Sequence, residues 1–401
     1  MVQPQVENST MLRVLGSAAT WAASLAMVSR IQQQPGGPVF EFIDDLLRLE
    51  ADLVVTVTAP FDPTGQGNDE DRIRLRNLLS DARTQVQSHL DGRDAKAVLA
   101  NLDQAAESVE IRGGSYGVVI VATADQGQAH LVPFPIKEGV LVDRTPATRY
   151  LIQGMRRSPR SRVLVVSDHS ARLFEGIRYD MIEVTDYGFP FASDITPKDN
   201  RAIAGKFAQD PGGDPKEAYR KYFRTVDAGL TQASAGDPLP LIIAGVRNSA
   251  ELFEDVSSNV GSVVGRLDGS YEQANAHDIG EAAWKVLREV LKARRDEVVE
   301  DLNNRLHTAK AVAGMDEVWQ YAREGRGRLL VVEEDYKHTP SVEVDLRLVR
   351  VEDSSVDPSD ISVMQDPVDE LVEHVVRAGG TVEFLASGAL ADVGRVGLLL
   401  R

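Results

Sequence analysis

The chain has 401 residues, 61 acidic against 44 basic, a net charge of −17, and apolar and charged fractions of 43% and 26%. That balance fits a globular protein of two or three domains and excludes a disordered or fibrous one. With no cysteine it also excludes disulfides, thiol nucleophiles and cysteine-ligated zinc. The histidines at 89, 130, 169, 277, 307, 338 and 374 never fall at His-x-x-x-His spacing, so no metal site and no cofactor is expected. The lack of cysteine fits a reducing compartment, and a cytoplasmic location is expected.

In chain order, residues 1–40 read as an N-terminal extension. Its uncharged run, residues 14–28, is 15 residues long, short of the ~20 that a spanning helix needs, so no membrane anchor is expected. After the linker "QQQPGGP", residues 42–49 read as a short helix and "DLVVTVTAP" as a buried strand closed by Pro60. "FDPTGQGNDED" is a polar loop. Ile73, Leu75, Leu78, Leu79, Ala82 and Val86 then recur near helical spacing, and "GGSYGVVIVAT" and "QAHLVPFPI" read as paired strands. These elements make an α/β domain of residues 41–157.

A second domain, 158–236, opens with successive strands at 163–166, 171–175 and 181–184. A loop over 188–213 follows, rich in Gly, Pro and Asp, and loops of this length in compact domains are commonly functional or disordered. The third domain, 237–401, starts with the apolar strand "PLPLIIAGV" running into "RNSAELFEDV". Ile279, Ala283, Val286, Leu287, Val290 and Leu291 then mark an amphipathic helix. Helix 316–323, strand "RLLVVEE", helix 368–377 and strands "TVEFLAS" and "VGLLL" complete an alternating order, which implies helices around a mixed sheet and an α/β class.

Charge is unevenly spread. Residues 151–236 carry 13 basic against 11 acidic groups, hence +2, and the remainder 31 against 50, hence −19. Within residues 198–224, seven cations (Lys198, Arg201, Lys206, Lys216, Arg220, Lys221 and Arg224) face four acidic groups. Such a segment suits a polyanion, although charge alone fits a solvated helix face better. "DPGGDPKEAYRKYFR" holds its core. Asp214 as N-cap, Pro215 at N1 and Glu217 at N3 form a capping-box-like start. Tyr219, Tyr222, Phe223, Val226 and Leu230 can then face a core, leaving Lys216, Arg220 and Arg224 every four residues along one edge.

Other motifs carry less. "SDHS", residues 167–170, sets Ser, Asp and His side by side, but a triad converges from separated positions, so a strand-end turn is expected. "EGRGR" lacks the Gly-x-Gly-x-x-Gly pattern of a dinucleotide site. Arg72, Arg74 and Arg76 are either phosphate contacts or helix charges balancing residues 69–71, and the plainer reading has the edge for any one of them.

"LPLIIAGVRNSAELF", "LDGSYEQANAHDI", "GMDEVWQYAREGRGRLLVVEE" and "GGTVEFLASGALADVGRVGLLLR" occur in the order of the corresponding elements of one family. On these stretches the chain resembles, across residues 41–401, the archaeo-eukaryotic release factors and their rescue relative Pelota, in particular the bacterial branch of Balon-type ribosome hibernation factors. The resemblance implies a three-domain architecture: 41–157 facing the decoding region, 158–236 carrying a Gly-Gly loop, and 237–401 docking a translational GTPase such as elongation factor Tu. In release factors a Gly-Gly-Gln loop before a basic helix reaches the peptidyl-transferase centre. Gly212 and Gly213 match its glycines, but Asp214 stands where the glutamine would be, and a carboxylate cannot donate the amide's hydrogen bonds. The stop-codon-reading NIKS and Tyr-x-Cys-x-x-x-Phe stretches are absent, and "NDEDRIRLRN" occupies the comparable region.

The expectation is therefore a noncatalytic, stress-related hibernation factor that acts as a monomer in the A site of inactive or stalled 70S ribosomes. Lys198, Arg201, Lys206, Gly212, Gly213, Lys216, Arg220 and Arg224, with Arg72, Arg74 and Arg76, would meet 23S and 16S rRNA. The alternatives are a rescue factor hydrolysing peptidyl-tRNA, and an interaction protein unconnected with ribosomes.

Overall fold

The computed structural model describes residues 42–43, 45–64, 68–89, 92–111, 114–193, 195, 216–357, 360 and 362–401. It is a mixed α/β structure with several sheets flanked by helices. By compactness the chain divides into two units, one built from Pro159–Ala293 and the other from Pro35–Ser158 together with Arg294–Arg401.

In the discontinuous unit, β1 (Val54–Pro60), β2 (Gly117–Ala122), β3 (Gly127–Val132) and β4 (Gly139–Asp143) form an antiparallel sheet of order β3-β2-β1-β4. Register sets Val57 opposite Ile120 and Val140. Successive side chains of a strand point to opposite faces, so β1 and β2 feed two cores. Val55, Val57, Val118 and Ile120 pack on α1 (Asn68–His89) and α2 (Gly92–Glu107) through Leu79, Ala82, Val86, Val98 and Leu102. Val54, Val119 and Val121 join instead a core drawn largely from the far end of the sequence.

Leu151 and Ile152 of α3 (Arg149–Arg157) meet Val318 and Trp319 of α7 (Met315–Arg323) and Val368, Leu371 and Val372 of α8 (Pro367–Arg377) in that core. A second sheet, β11 (Ala311–Ala313), β16 (Val396–Leu400), β12 (Gly327–Glu333) and β15 (Thr381–Leu385), lies beneath α7 and α8, with β12 and β15 parallel. β13 (Ser341–Val344) and β14 (Arg347–Arg350) make a separate hairpin. Its two turn residues, Asp345 and Leu346, have φ of +49° and +63°, the geometry of a two-residue hairpin loop.

The continuous unit is built on one sheet, whose strands lie in the order Val263–Asp268, Leu241–Gly245, Arg160–Val166, Ser170–Ile177 and Asp180–Val184. β5 (Arg160–Val166), β6 (Ser170–Ile177) and β7 (Asp180–Val184) are an antiparallel meander, and β8 (Phe191–Ala192) pairs with β6. β9 (Leu241–Gly245) and β10 (Val263–Asp268) run parallel to β5. One face carries α4 (Glu217–Ser234) and α5 (Arg247–Val256). The other carries the first half of α6 (Ala276–Leu306), through Ile279, Ala283, Trp284 and Leu287.

The expected boundary at 236/237 is thereby corrected, since it separates β5–β7 from β9 and β10, which share their sheet. "LIIAG" is buried at all five positions and so needs cover on both faces, which a place beside β5 supplies. The expected independence of 41–157 from 237–401 is corrected as well, because α3, α7 and α8 share a core. No helix among the described residues is long and apolar enough to cross a membrane.

Candidate nucleic-acid interface

α4 is fixed from beneath and left open along one edge. Tyr219, Phe223, Val226 and Leu230 are buried against Leu164, Leu173, Leu241 and Ile243, each full burial being worth about 1.5–3 kcal/mol. Gly229 lets the helix close on the meander, since a Cβ there would sit 2.7 Å from the Tyr187 carbonyl oxygen. The helix stops at Ala235, where Gly236 takes φ +81°, a conformation favoured by glycine.

Asp227 ties α4 to the end of α5. Its carboxylate accepts from Ser257 Oγ (2.6 Å), Ser258 N (3.0 Å), Ser258 Oγ (2.7 Å) and Asn259 Nδ2 (2.8 Å). Burial alone would raise its pKa, but these donors together hold it below the usual carboxylate range.

The open edge carries Lys216, Arg220 and Arg224 at four-residue spacing, about 12 Å of helix from first to last, with Lys221 exposed beside them. The Glu217 carboxylate sits among these four cations. Arg224 Nη1 donates to Glu217 Oε1 at 2.8 Å, and Arg220 Nη1 stands 3.6 Å from Oε2. The hydrogen bond from Arg224 holds the Glu217 carboxyl below its ordinary range. Glu217 would close the expected capping box on Asp214, which lies outside the described residues. It is the first residue of α4, Lys216 before it gives no side-chain cap, and its carboxylate reaches along the helix to arginines. Asp214, Pro215, Lys198, Arg201, Lys206, Gly212 and Gly213 lie outside the described residues.

The other candidate arginines lie on α1 in the discontinuous unit. Arg74 is committed locally, donating to Asp71 Oδ1 (2.7 Å) and to the Pro60 carbonyl (3.0 Å), with Glu138 at 3.7 Å. Asp71, itself buried, accepts from Asp62 N at 2.9 Å, so this pair pins the start of α1 to the end of β1. Arg72 leans on Asp69 at 3.6 Å, and Arg76 is exposed. For Arg74 the geometry is that of a structural charge.

"SDHS" is a turn between β5 and β6. Ser167 Oγ accepts from His169 N (3.1 Å) and Ser170 N (2.9 Å), both serine hydroxyls donate to Glu272 Oε1 (3.2 and 3.1 Å), and Ser249 Oγ donates to Asp168 (2.8 Å). Among the described residues no hydrogen bond joins the His169 ring to either serine, so no triad is assembled there. No group of three metal-ligating side chains occurs among the described residues.

A second charged cluster was not legible in the sequence. Arg149, 1% exposed, donates from Nη1 to Asp366 Oδ2 (2.9 Å) and from Nη2 to the Tyr336 carbonyl (2.6 Å). Its backbone N–H reaches Asp369 Oδ1 (3.1 Å), Thr148 Oγ1 donates to Glu373 Oε1 (2.9 Å), and Thr145 Oγ1 donates to Glu370 Oε1 (2.9 Å). Burial pushes the carboxyls of Asp369 and Glu373 well above the ordinary range; neighbouring carboxylates add to this, and Arg149 and Arg377 offset part of it. Burial likewise raises Asp143 to about 6.

Residues 162–326 match the profile of bacterial archaeo-eukaryotic release factor family 3. Among solved structures the chain is similar to an archaeal translation termination factor, aRF1, with 14% identity over 90% of this chain and 97% of that one and a TM-score of 0.24. It is also similar to Dom34 of S. cerevisiae, described as a termination-like factor interacting with Hbs1, with 13% identity over 75% and 77% and a TM-score of 0.39. For an archaeal Pelota in a ribosome-bound model with ABCE1 the figures are 12%, 90%, 94% and 0.41. No curated protein matches the chain at a significant level. The matched stretch holds α4 with its cationic edge and nearly all of the sheet beneath it, so the similarity to that family falls on the candidate interface.

Proposed function

We propose that this protein is a ribosome-binding hibernation factor of the Balon type. It occupies the A site of inactive or stalled 70S ribosomes and extends its Gly212–Gly213 segment towards the peptidyl-transferase centre. The observation that carries this reading is the row of four cations on the edge of α4, within the stretch that matches a release-factor family, on a chain otherwise strongly acidic. Guanidinium and ammonium groups in a row make charge-assisted hydrogen bonds to phosphate oxygens and fix register without reading bases. The acidic remainder is repelled by RNA, which restricts binding to this edge and to the cations of residues 198–206.

The proposed role is occupation without catalysis. Asp214 follows the two glycines where the release-factor resemblance has glutamine, and an ionised carboxylate only accepts hydrogen bonds. A translational GTPase such as elongation factor Tu is the proposed partner of the C-terminal residues, and the protein acts in the cytoplasm as a monomer. Cosedimentation with purified 70S ribosomes tests the reading. Association should weaken as salt rises, by a log–log slope of about −0.7 per phosphate contact. Absence of association at low salt would refute it. Release of labelled peptide from ribosome complexes, lost in Asp214→Ala, would replace occupation with the hydrolytic rescue alternative.

A further inference from the structure

Arg220 and Arg224 do not stand bare on the edge of α4. Each oxygen of the Glu217 carboxylate faces a different guanidinium, Arg224 at 2.8 Å and Arg220 at 3.6 Å, as two oxygens of a phosphate would. The position Glu217 gives up makes this informative. At the first turn of a helix a carboxylate is favoured near the free backbone N–H groups and the positive end of the dipole. Lys216 itself gives that turn no side-chain cap, and the Glu217 carboxylate is directed along the helix, seven residues on, to Arg224. Its side chain and that of Arg224 are both 54% exposed, so water and other anions have access to the pair.

We infer that Glu217 is an internal counter-ion that occupies Arg220 and Arg224 in place of phosphate and sets how strongly the α4 edge takes up RNA. This rests on the ribosome-binding reading above. Two effects oppose each other. The carboxylate competes with phosphate for the same donors and repels it, and it also holds two long side chains in one arrangement, which lowers the entropy lost when phosphate binds. Competition wins because an exposed ion pair constrains its partners little, whereas a formal charge within hydrogen-bond distance of the site must be displaced or compensated each time RNA arrives.

Glu217→Gln separates the two effects, since glutamine keeps the length and an acceptor oxygen for Arg224 and loses the charge. Full-length wild type, E217Q, R224Q, the double variant and E251Q are titrated against purified 70S ribosomes at fixed low salt, with thermal melts to confirm folding. Glu251 is an exposed carboxylate on α5 and reports the generic gain from removing one negative charge. E217Q should bind about two- to fivefold tighter than wild type, the scale of an exposed ion pair. E251Q should change binding less, and the gain from E217Q should shrink to that of E251Q when Arg224 is absent. Binding by E217Q no tighter than by E251Q, or an equal gain with and without Arg224, overturns the inference while leaving the ribosome reading intact. Absence of binding by every form overturns both.

Discussion

The rim of α4 and the buried contact between α3 and α8 are built from the same groups, arginine and carboxylate, and differ in their access to water. On α4 the Arg224–Glu217 pair is more than half exposed, so its loss disturbs little of the fold and its groups can exchange partners. Between α3 and α8, Arg149 is 1% exposed and donates to Asp366 and to the Tyr336 carbonyl, so removing it strands those partners away from solvent. The difference teaches where to look for function in an acidic chain. Buried charge here serves cohesion; the exchangeable charge is what a ligand can use.

Arg149→Ala should break the comparison most visibly. It leaves the Asp366 carboxylate and the Tyr336 carbonyl without their donor, and the denaturant midpoint should fall by an amount corresponding to about 3–5 kcal/mol. Arg224→Ala in the same assay should leave the midpoint nearly unchanged; equal effects would erase the distinction.

Removing the clasp between α4 and α5 comes next. Asp227→Ala abolishes four hydrogen bonds and strands their donors, at a cost of about 1–3 kcal/mol, read as a lower melting temperature.

The pH response sharpens the contrast further. Asp369 and Glu373 are raised in the folded state, so the native form holds protons that the unfolded chain has released above its ordinary carboxylate pKa of about 4. Their contribution is full at low pH and is lost as pH rises through the raised values. His374, lowered mainly by burial, acts in the opposite sense and costs stability as pH falls through its own titration. Through these two carboxyls, unfolding midpoints should therefore decline from about pH 4 up to their raised values and level off above them, and the double variant D369N/E373Q should flatten that decline. A decline of the same steepness in the double variant would remove these carboxyls from the account.

The smallest effect on stability, and the largest on association, belongs to charge reversal at Arg220 and Arg224. The melting temperature should hold while salt-sensitive binding to 70S ribosomes is lost. Unchanged binding would detach the α4 edge from RNA altogether.

Strands with continuous or alternating apolar runs, β1, β2, β5, β9, β12 and β16, were legible in the sequence, as was the amphipathic first half of α6, because burial there follows the period of the element. α3 was not. "RYLIQGMRR" opens and closes on arginines, which normally mark solvent, yet Arg149 and Arg156 are buried, Arg149 by partners as far along the chain as Asp366. β10 was missed for another reason. "VVGRLD" is short and interrupted by a glycine and an arginine, and only its pairing with β9 makes it a strand. The cations of α4 were visible as a pattern, whereas the partner of Arg224 was not, since Glu217 fits an N-terminal cap equally well on paper.

The core that α3 shares with α7 and α8 bears on how the chain is made. When residue 158 has been polymerised, the β1–β4 sheet has α1 and α2 for one side, while Val54, Val119, Val121, Phe134 and Leu151 on the other await partners from residues 315–400. At about 5–20 residues per second that is a delay of about 10–50 s, during which an apolar surface faces water beside a nascent chain. The segment between, whose sheet closes on its own strands, can complete itself first, so a sheet made before it is among the last to finish folding.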